Sequence, residues 1–337
     1  MKSKNKIKNF ILDNLSQHQK DIIQTSIERF GVSRQAIHKH MNSLIDDNKV
    51  IAHGATKGRY YELIPYVNYN KHIDIDSNLS VEEIMKLYVK PHIEVLPRNI
   101  LEIFEFSISA LINNILEHAD ASKLYYKIFI NHNEAHFILN DNGVGIFDNI
   151  KSKLKLPNIR FSALELTKGY VSTNPKFHSG EELNAVINLF DTVEIGSSGK
   201  LLTFVNKNTD WELKNSLQKK GTRFHLRISA SSDRTCAKTF GKIFGNEKSR
   251  IRIPVSLLDV SKHQVLNSKS QAKNLLRNVE NYEKVEFDFK KIDLIGPAFA
   301  DALIRSAKKC NQLADIKWVN TNTTVDLLMS RSLRRQS

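Results

Sequence analysis

Two adjacent asparagines, Asn113 and Asn114, stand in the middle of an apolar helical pattern that runs from Phe106 to Ser122. Asparagine is a poor helix former because its amide competes for backbone hydrogen-bond partners. An amide pair at this place is therefore a candidate for chemistry rather than for local stability. One helical turn before Asn114, on the same face of the helix, the sequence has Ala110, which carries no reactive group.

Three further segments carry residues suited to ligand contact. Asp141 ends an alternating apolar stretch and is followed by Gly143 and Gly145, whose missing side chains permit close backbone approach to a ligand. The segment "FHSGEEL" is a turn that opens a helix, and the free N–H groups of a helix N-terminus can hold phosphates. Gly221 and Thr222 lead into a later strand.

The elements that must position these residues form a middle unit, residues 81–230. Two helical patterns, "VEEIMKLYVKPHIEVL" and "NILEIFEFSISALINNILEHAD", precede two strands, "KLYYKIFIN" and "EAHFILNDNG". A long Lys-rich connection then leads to the helix "GEELNAVINLFD" and to the strands "TVEIGSSG", "KLLTFVNKN" and "TRFHLRIS". This order predicts an α+β domain with an antiparallel or mixed sheet and helices on one face.

The four segments, in this order, resemble the GHKL ATPase family, which includes gyrase, MutL, histidine kinases and anti-sigma kinases. The resemblance covers residues 81–228 and implies an α/β sandwich that binds ATP and Mg²⁺. It assigns the magnesium to the side-chain oxygen of Asn114, in keeping with the preference of that cation for oxygen ligands. It also implies that Asp141 accepts a hydrogen from the adenine amino group, with support from Thr222, and that Gly143 and Gly145 flank the base.

The resemblance further implies how the phosphates are held. Backbone N–H groups of the turn before the helix would contact them, at Ser179, Gly180, Glu181 and Glu182. Lys168, in "LTKGYVST", falls in the expected nucleotide lid and is expected to reach a phosphate. His118 is either a functional residue or a structural one.

Two departures from the family pattern affect the expected chemistry. Glu182 stands where the phosphate turn usually has a second glycine, so its side chain must point away from the phosphates. Ala110 stands where hydrolysing members have a glutamate that activates water, and such general-base assistance is typically worth about 10²–10⁴-fold. Either this lineage binds ATP as a switch without turnover, or a natural glutamate was changed to alanine to trap the bound nucleotide. With Ala110, hydrolysis is expected to be very weak.

The N-terminal unit, residues 1–66, has the pattern helix, helix, turn, helix and β-hairpin. This order resembles the winged helix-turn-helix family of DNA-binding domains. The early residues of the third helix are expected to face base edges, and arginine and glutamine suit guanine and adenine respectively. Wing residues would contact phosphates. The candidate DNA-binding residues are Ser33, Arg34, Gln35, His38, Lys39, Lys57 and Arg59.

Charge supports a polyanionic partner for this unit. Residues 1–66 contain eleven Lys and Arg against six Asp and Glu, within a chain whose formal net charge is +14. Such a balance favours nucleic acid as a partner. The alternative is a winged helix that serves protein contacts only.

The C-terminal unit, residues 250–332, alternates strands and helices and predicts a small α/β module. It resembles the STAS-like domain of unknown function that often follows a GHKL domain. True STAS antagonists of anti-sigma kinases carry a phosphorylatable serine after the central strand, but the matching positions here, residues 295–298, read Ile-Gly-Pro-Ala. Ser261 and Ser268 remain as acceptors, with helix capping as their alternative role. Docking or dimerisation is the expected role of this module.

Composition sets broad limits on the class of protein. The chain has 337 residues, of which 41% are hydrophobic and 26% charged, as in multidomain soluble proteins. No apolar run approaches the roughly 18 residues of a membrane span, and the basic start lacks a signal-peptide pattern. Its two cysteines, Cys236 and Cys310, are far apart, which indicates neither a disulfide framework nor a zinc site. A cytoplasmic location is expected.

The patterns predict a multidomain α+β protein. The resemblances imply an ATP-binding, winged-helix DNA-binding transcriptional regulator whose nucleotide state controls assembly or DNA affinity. Double-stranded DNA, a second copy in a homodimer and a protein bound by the STAS-like module are the expected partners. One alternative is a serine/threonine protein kinase of the anti-sigma type that acts on a separate STAS or sigma partner. Another is a scaffold with an inactive nucleotide site.

Overall fold

Buried apolar side chains fall into two separate cores, one in the N-terminal domain and one shared by the rest of the chain. The structure is a computed structural model that describes residues 2–76, 78–169, 171, 180–244, 250–258, 266–279, 282–310 and 315–335. Several sheets and helices in succession confirm a multidomain α+β chain. The shared core means that the middle and C-terminal domains pack as neighbours, whereas the N-terminal domain has its own interior.

The N-terminal domain, residues 2–66, consists of three helices followed by an antiparallel hairpin. The third helix buries Ile37, Met41 and Leu44, which are spaced four and three residues apart and so share one face. The second helix ends at Gly31, whose φ of 63° is the left-handed conformation that glycine adopts without strain. The elements are α1 (Lys2–Asn14), α2 (Ile22–Phe30), α3 (Arg34–Asp46), β1 (Val50–His53) and β2 (Tyr60–Leu63).

The middle domain, residues 67–244, is built on a seven-stranded sheet in the order β3-β4-β5-β9-β6-β7-β8, with every neighbouring pair antiparallel. Alternate residues of the central strands are buried, as period-two side-chain alternation requires. The strands are β3 (Val67–Asp74), β4 (Lys123–Ile130), β5 (Glu134–Asp141), β6 (Thr192–Ser197), β7 (Lys200–Val205), β8 (Asp210–Asn215) and β9 (Thr222–Ser229).

Helices cover the sheet of the middle domain. Pro91 lacks the N–H that would donate a backbone hydrogen bond one turn back. Just before it, the backbone hydrogen bonds change from the α-helical to the π-helical pattern over Met85–Val89. The helices are α4 (Val81–Ile84), α5 (Lys90–Ile93), α6 (Arg98–His118), α7 (Ile146–Lys153), α8 (Ile159–Thr167), α9 (Glu181–Leu189) and α10 (Cys236–Phe244).

Helix α6 is the central helix of this domain. Of the part of the chain that the structure describes, it is the one helix long and apolar enough to cross a membrane by length and composition. Nine of its residues are nevertheless buried among the other elements of the domain. Its apolar character is thus that of a core helix.

Two stretches of the middle domain contain secondary structure that the sequence patterns did not predict. The stretch between the units expected at residues 1–66 and 81–230 contains β3, which pairs with β4 along eight residues. The Lys-rich connection contains α7 and α8, and α8 is buried along almost its whole length. Strand β8 and helix α10 had not been predicted as elements.

The C-terminal domain, residues 250–335, is a three-stranded parallel sheet with helices, as its alternation of strand and helix patterns predicts. Ser268 caps α11 in a capping box with Gln271, so capping is the role its hydroxyl performs here. Ser261 lies outside the described residues. The elements are β10 (Arg250–Pro254), α11 (Lys269–Leu275), β11 (Lys284–Asp288), α12 (Pro297–Cys310), β12 (Asp315–Val319) and α13 (Thr323–Arg334).

Candidate functional site

A cavity of about 240 Å³ lies between the C-terminal half of α6, the ends of β5 and β9, and the start of α9. We call it the first cavity. It brings together residues from five separate segments of the sequence. The polar residues that line it are Asn113, Asn114, His118, Asp141, Asn149, Glu182 and Thr222, and Gly180 lines it as well. The apolar part of the wall includes Val144, Ile146, Leu166, Leu183 and Phe224.

The Asp141 carboxylate is the most buried charged group in this wall, with 3% of its surface exposed. Its Oδ1 accepts a hydrogen bond from the Gly143 N–H at 2.8 Å, and its Oδ2 accepts one from the Thr222 N–H at 3.1 Å. A carboxylate has about four acceptor sites, so it retains capacity for a donor in the cavity. Burial raises the pKa of Asp141, and the two backbone hydrogen bonds oppose that rise.

The glycines near Asp141 lie so close to other parts of the chain that a side chain at these positions would clash. A Cβ on Gly143 would lie 2.1 Å from the Ala119 carbonyl oxygen, and one on Gly221 would lie 1.9 Å from the Asp141 carbonyl oxygen. A Cβ on Gly145 would meet the Ser197 hydroxyl at 2.2 Å. Gly143 and Gly145 are therefore explained by contacts within the chain, whereas contact with a base remains a prediction.

Thr222 joins the strand end to the start of α7. Its hydroxyl oxygen accepts a hydrogen bond from the Ile146 N–H at 2.9 Å. The Gly221 N–H donates to the Gly143 carbonyl at 3.0 Å, and the Val144 N–H donates to the Ala119 carbonyl. The turn after β5 is thereby tied to both β9 and the end of α6, which holds the Asp141 carboxylate in place.

Helix α6 presents its amides to the same cavity. Asn113, Asn114 and His118 all line it, near the C-terminal end of the helix. Ala110 is buried one turn before Asn114, with 8% of its surface exposed, and is not itself part of the cavity wall. His118 lies 3.7 Å from the Glu117 carboxylate, so it has a charged neighbour as well as a position in the wall.

The start of α9 forms another side of the cavity. Gly180 precedes the helix with a φ of 77°, and the helix begins at Glu181. Gly180 and Glu182 line the cavity, and the Glu182 side chain is otherwise exposed. Ser179 lies outside the described residues.

Lys168, which was expected to reach a phosphate, lies away from the first cavity. Its ammonium is 1% exposed and lies 2.8 Å from Glu165 Oε1. It also donates to the backbone carbonyls of Asn274 and Arg277, both at 2.9 Å, in the C-terminal domain. An ammonium has three donors, and these three acceptors use them. Lys168 therefore joins two domains and does not line the first cavity.

The junction around Lys168 contains further polar contacts. The Asn278 amide donates to Glu165 Oε2 at 3.2 Å, and the Tyr282 hydroxyl donates to the Lys168 carbonyl. Burial raises the pKa of Glu165, and the Lys168 ammonium opposes the rise. Since Leu166, between the two charged residues, lines the first cavity, the C-terminal domain contacts the wall of that cavity through α8.

The candidate DNA-contacting residues lie on one helix and one hairpin. Arg34, Gln35 and Lys39 are exposed on α3, and His38 is partly exposed. The Ser33 hydroxyl oxygen caps α3 by accepting from the Ala36 N–H at 3.3 Å. In the hairpin, the exposed Arg59 guanidinium lies 5.3 Å from the centre of the Tyr61 ring, and Lys57 follows a tight turn at Gly54.

Sequence reasoning missed one polar residue of the first cavity. Asn149 lies on α7, and its amide donates to the His118 carbonyl at 3.4 Å. No local motif marks Asn149, because the sequence around it has the pattern of a Lys-rich connection. Asn113 also lines the cavity, and the sequence pattern assigns a role only to its neighbour Asn114.

One comparison with known proteins gives a match. Residues 271–326 match the model of the STAS-like domain of unknown function (DUF4325). No curated protein matches the chain. The match confirms the expectation for the C-terminal unit, and the chain therefore contains a STAS-like domain.

Proposed function

We propose that this chain is an ATP-binding transcriptional regulator, with a GHKL-type nucleotide site in its middle domain and a winged helix-turn-helix at its N-terminus. The main support for this proposal is that Asn114, Asp141 and Thr222 line one cavity beside the start of α9. The resemblance assigns magnesium to Asn114 and the adenine amino group to Asp141, with support from Thr222. It assigns the phosphates to the turn that opens α9.

The chemistry of the first cavity suits a purine triphosphate. A buried carboxylate with spare acceptor capacity matches the exocyclic amino group of adenine, and apolar side chains such as Ile146 and Phe224 suit the face of the base. The N–H groups at the start of α9 suit the phosphates. The protein would thus recognise both ends of the ligand.

Asn114 would bind Mg²⁺ together with the phosphates. Among the described residues, no cluster of three or more His, Cys, Asp or Glu side chains could hold a metal ion by itself. Magnesium commonly takes only one or two protein ligands and completes its shell with substrate phosphates and water. A single asparagine oxygen is consistent with that mode.

DNA binding is proposed for α3 and the hairpin that follows it. The apolar side of α3 faces the core, so Arg34, Gln35 and Lys39 are left on the accessible side. Arginine and glutamine can read base edges in the major groove, and Arg59 on the hairpin can contact a phosphate. The positive charge of this domain favours the same partner.

Nucleotide binding would control DNA affinity or assembly by favouring one of two arrangements of the domains. The N-terminal domain contacts the sheet of the middle domain through Asp13 and His132, which are 2.9 Å apart. The STAS-like domain contacts α8 through Lys168. Both neighbours are therefore in direct contact with the domain that would bind ATP.

A DNA-binding isotherm with and without MgATP tests this proposal. The proposal expects ATP to change DNA affinity or oligomer size in the native chain and not in Asp141→Asn. If ATP binds but leaves both unchanged, the regulatory coupling is wrong. If a partner protein instead receives the γ-phosphate from Ala110→Glu, the chain is a kinase.

A further inference from the structure

A second cavity, of about 490 Å³, lies where β7, β8, α9 and α10 of the middle domain face β10 and β11 of the STAS-like domain. It is separate from the first cavity and shares no lining residue with it. Its wall combines a cluster of positive charges with an aromatic pair. No role assigned above uses these residues.

The positive cluster consists of Lys242, Arg250 and Arg252, with Glu286 as the one carboxylate in the described wall. Arg250 and Arg252 are alternate residues of β10, so they project from the same face of the strand. Both donate hydrogen bonds to Glu286, and Arg252 does so through Nε and one terminal nitrogen at 3.1 and 3.0 Å. The carboxylate thus orients both guanidinium groups.

Among the residues of this wall that the structure describes, positive charge exceeds negative charge by two. Each guanidinium has five N–H donors, and Glu286 receives only part of them. Lys242 has no ion-pair partner among the residues that the structure describes. A phosphate monoester is a dianion near neutral pH, so its charge would balance that of the cluster.

The aromatic pair consists of Phe204 and Trp211. They face each other across β7 and β8, with ring centroids 4.6 Å apart. Both line the cavity, and Trp211 is half-buried. A planar or apolar group would bury surface against these rings while its anionic end reached the cations.

We propose that the second cavity binds a small organic phosphate that carries a ring. The phosphate would lie among Lys242, Arg250 and Arg252, and the ring would pack against Trp211 and Phe204. The two cavities share structural elements. Leu166 and Leu183 line the first, whereas their chain neighbours Thr167 and Asn184 line the second. This adjacency is a route by which binding in the second cavity would couple to nucleotide binding in the first. That consequence rests on the proposed function, whereas the second site itself does not.

Trp211 provides a direct test because the chain has only two tryptophans. In a Trp318→Phe background, phenyl phosphate is expected to change Trp211 emission saturably, whereas phenol at equal concentration does not. Lys242→Ala and Arg252→Ala are each expected to weaken phenyl phosphate about tenfold or more. Lys238→Ala, an exposed lysine one turn earlier on α10 and outside the cavity wall, is the matched control and should leave affinity unchanged.

The site would be overturned by the absence of a saturable change, by equal binding of phenol, or by unchanged affinity in Lys242→Ala. Asp141→Asn separates the two cavities, because phenyl phosphate should still bind when the first is impaired. Loss of phenyl phosphate binding in Asp141→Asn would place the probe in the first cavity and also overturn the proposal. If phenyl phosphate binds as expected but MgATP does not bind the native chain, the second site stands and the proposed function fails.

Discussion

The Lys168 ammonium and the Glu165 carboxylate form an ion pair of 2.8 Å in which both side chains are essentially fully buried. Glu165 lies in the last turn of α8, Lys168 directly follows that helix, and the STAS-like domain encloses both side chains. Removing one partner of such a pair leaves an uncompensated charge, which costs about 3–5 kcal/mol. Replacing both with apolar residues of similar size is often close to neutral.

We therefore expect Lys168→Met to lower the free energy of unfolding by about 3–5 kcal/mol. The double variant Lys168→Met/Glu165→Leu should recover most of that loss, and urea denaturation measures both. A lysine that contacted phosphate would behave differently, since Lys168→Met would weaken MgATP binding and leave stability intact. That outcome would contradict the placement of Lys168 at the domain junction.

Ala110 determines the expected rate of ATP hydrolysis. Ala110→Glu places a carboxylate one turn before Asn114 and is expected to raise ATP turnover by about 10²–10⁴-fold. Ala110→Gln has nearly the same size but no general base, and should remain as slow as the native chain. Release of inorganic phosphate measures the rates, and thermal unfolding confirms that both variants fold. Equal rates in the two variants would show that position 110 does not act on water.

Arg34 and Arg59 are expected to affect DNA binding in different ways. The DNA probe is a duplex that the native chain selects from random sequences. Arg34→Ala should weaken binding to this duplex roughly 5- to 150-fold and reduce base specificity at one base pair. Arg59→Ala should weaken binding to all sequences and reduce the salt slope by about one.

Lys20→Ala removes an exposed charge at the turn between α1 and α2 and is the control for nonspecific charge effects. Fluorescence anisotropy at several salt concentrations measures all three variants. If Lys20→Ala weakens binding as much as Arg34→Ala, the accessible side of α3 is not the reading surface.

Acidification is expected to weaken MgATP binding through Asp141. Only the ionised carboxylate has both oxygens available to accept hydrogen bonds from the adenine amino group and the backbone. Burial raises the pKa of Asp141. Protonation therefore begins at a higher pH than for an exposed aspartate. ATP also titrates, so Asp141→Asn serves as the control that retains only the ligand's own pH dependence. Identical profiles for the two proteins would show that this carboxyl does not contact the base.

The same pKa shift affects stability in the opposite sense. Because the pKa of Asp141 is higher in the folded than in the unfolded chain, its contribution to stability is fully present below the unfolded pKa. It is lost as the pH rises through the folded value. Asp141→Asn should remove this part of the pH dependence of unfolding.

The candidate site residues that the sequence indicates are those marked by a local motif. Asp141 is followed within four residues by two glycines, and their close backbone contacts explain why no other residue would fit. Asn114 was marked by its poor fit to a buried helix. Both features involve only a few neighbouring residues, so they can be recognised without knowledge of the fold.

Long-range relationships could not be predicted in this way. The carbonyls that hold Lys168 belong to Asn274 and Arg277, about a hundred positions away, and no local pattern indicates them. Strand β3 was missed because it is an edge strand with polar residues such as Asn68 and Asn70 among its apolar ones. The charges of the second cavity come from separate domains and meet only after folding.

Equilibrium titration with MgATP by calorimetry tests the central claim most directly. We expect the native chain to bind one nucleotide per chain, and Asp141→Asn to bind it roughly 10- to 150-fold more weakly, since a hydrogen bond to a charged group is worth about 1.5–3 kcal/mol. Asp74→Asn, which changes a carboxylate that is 88% exposed, should bind like the native chain. Absence of binding to the native chain, or equal affinity of Asp141→Asn, would contradict the account.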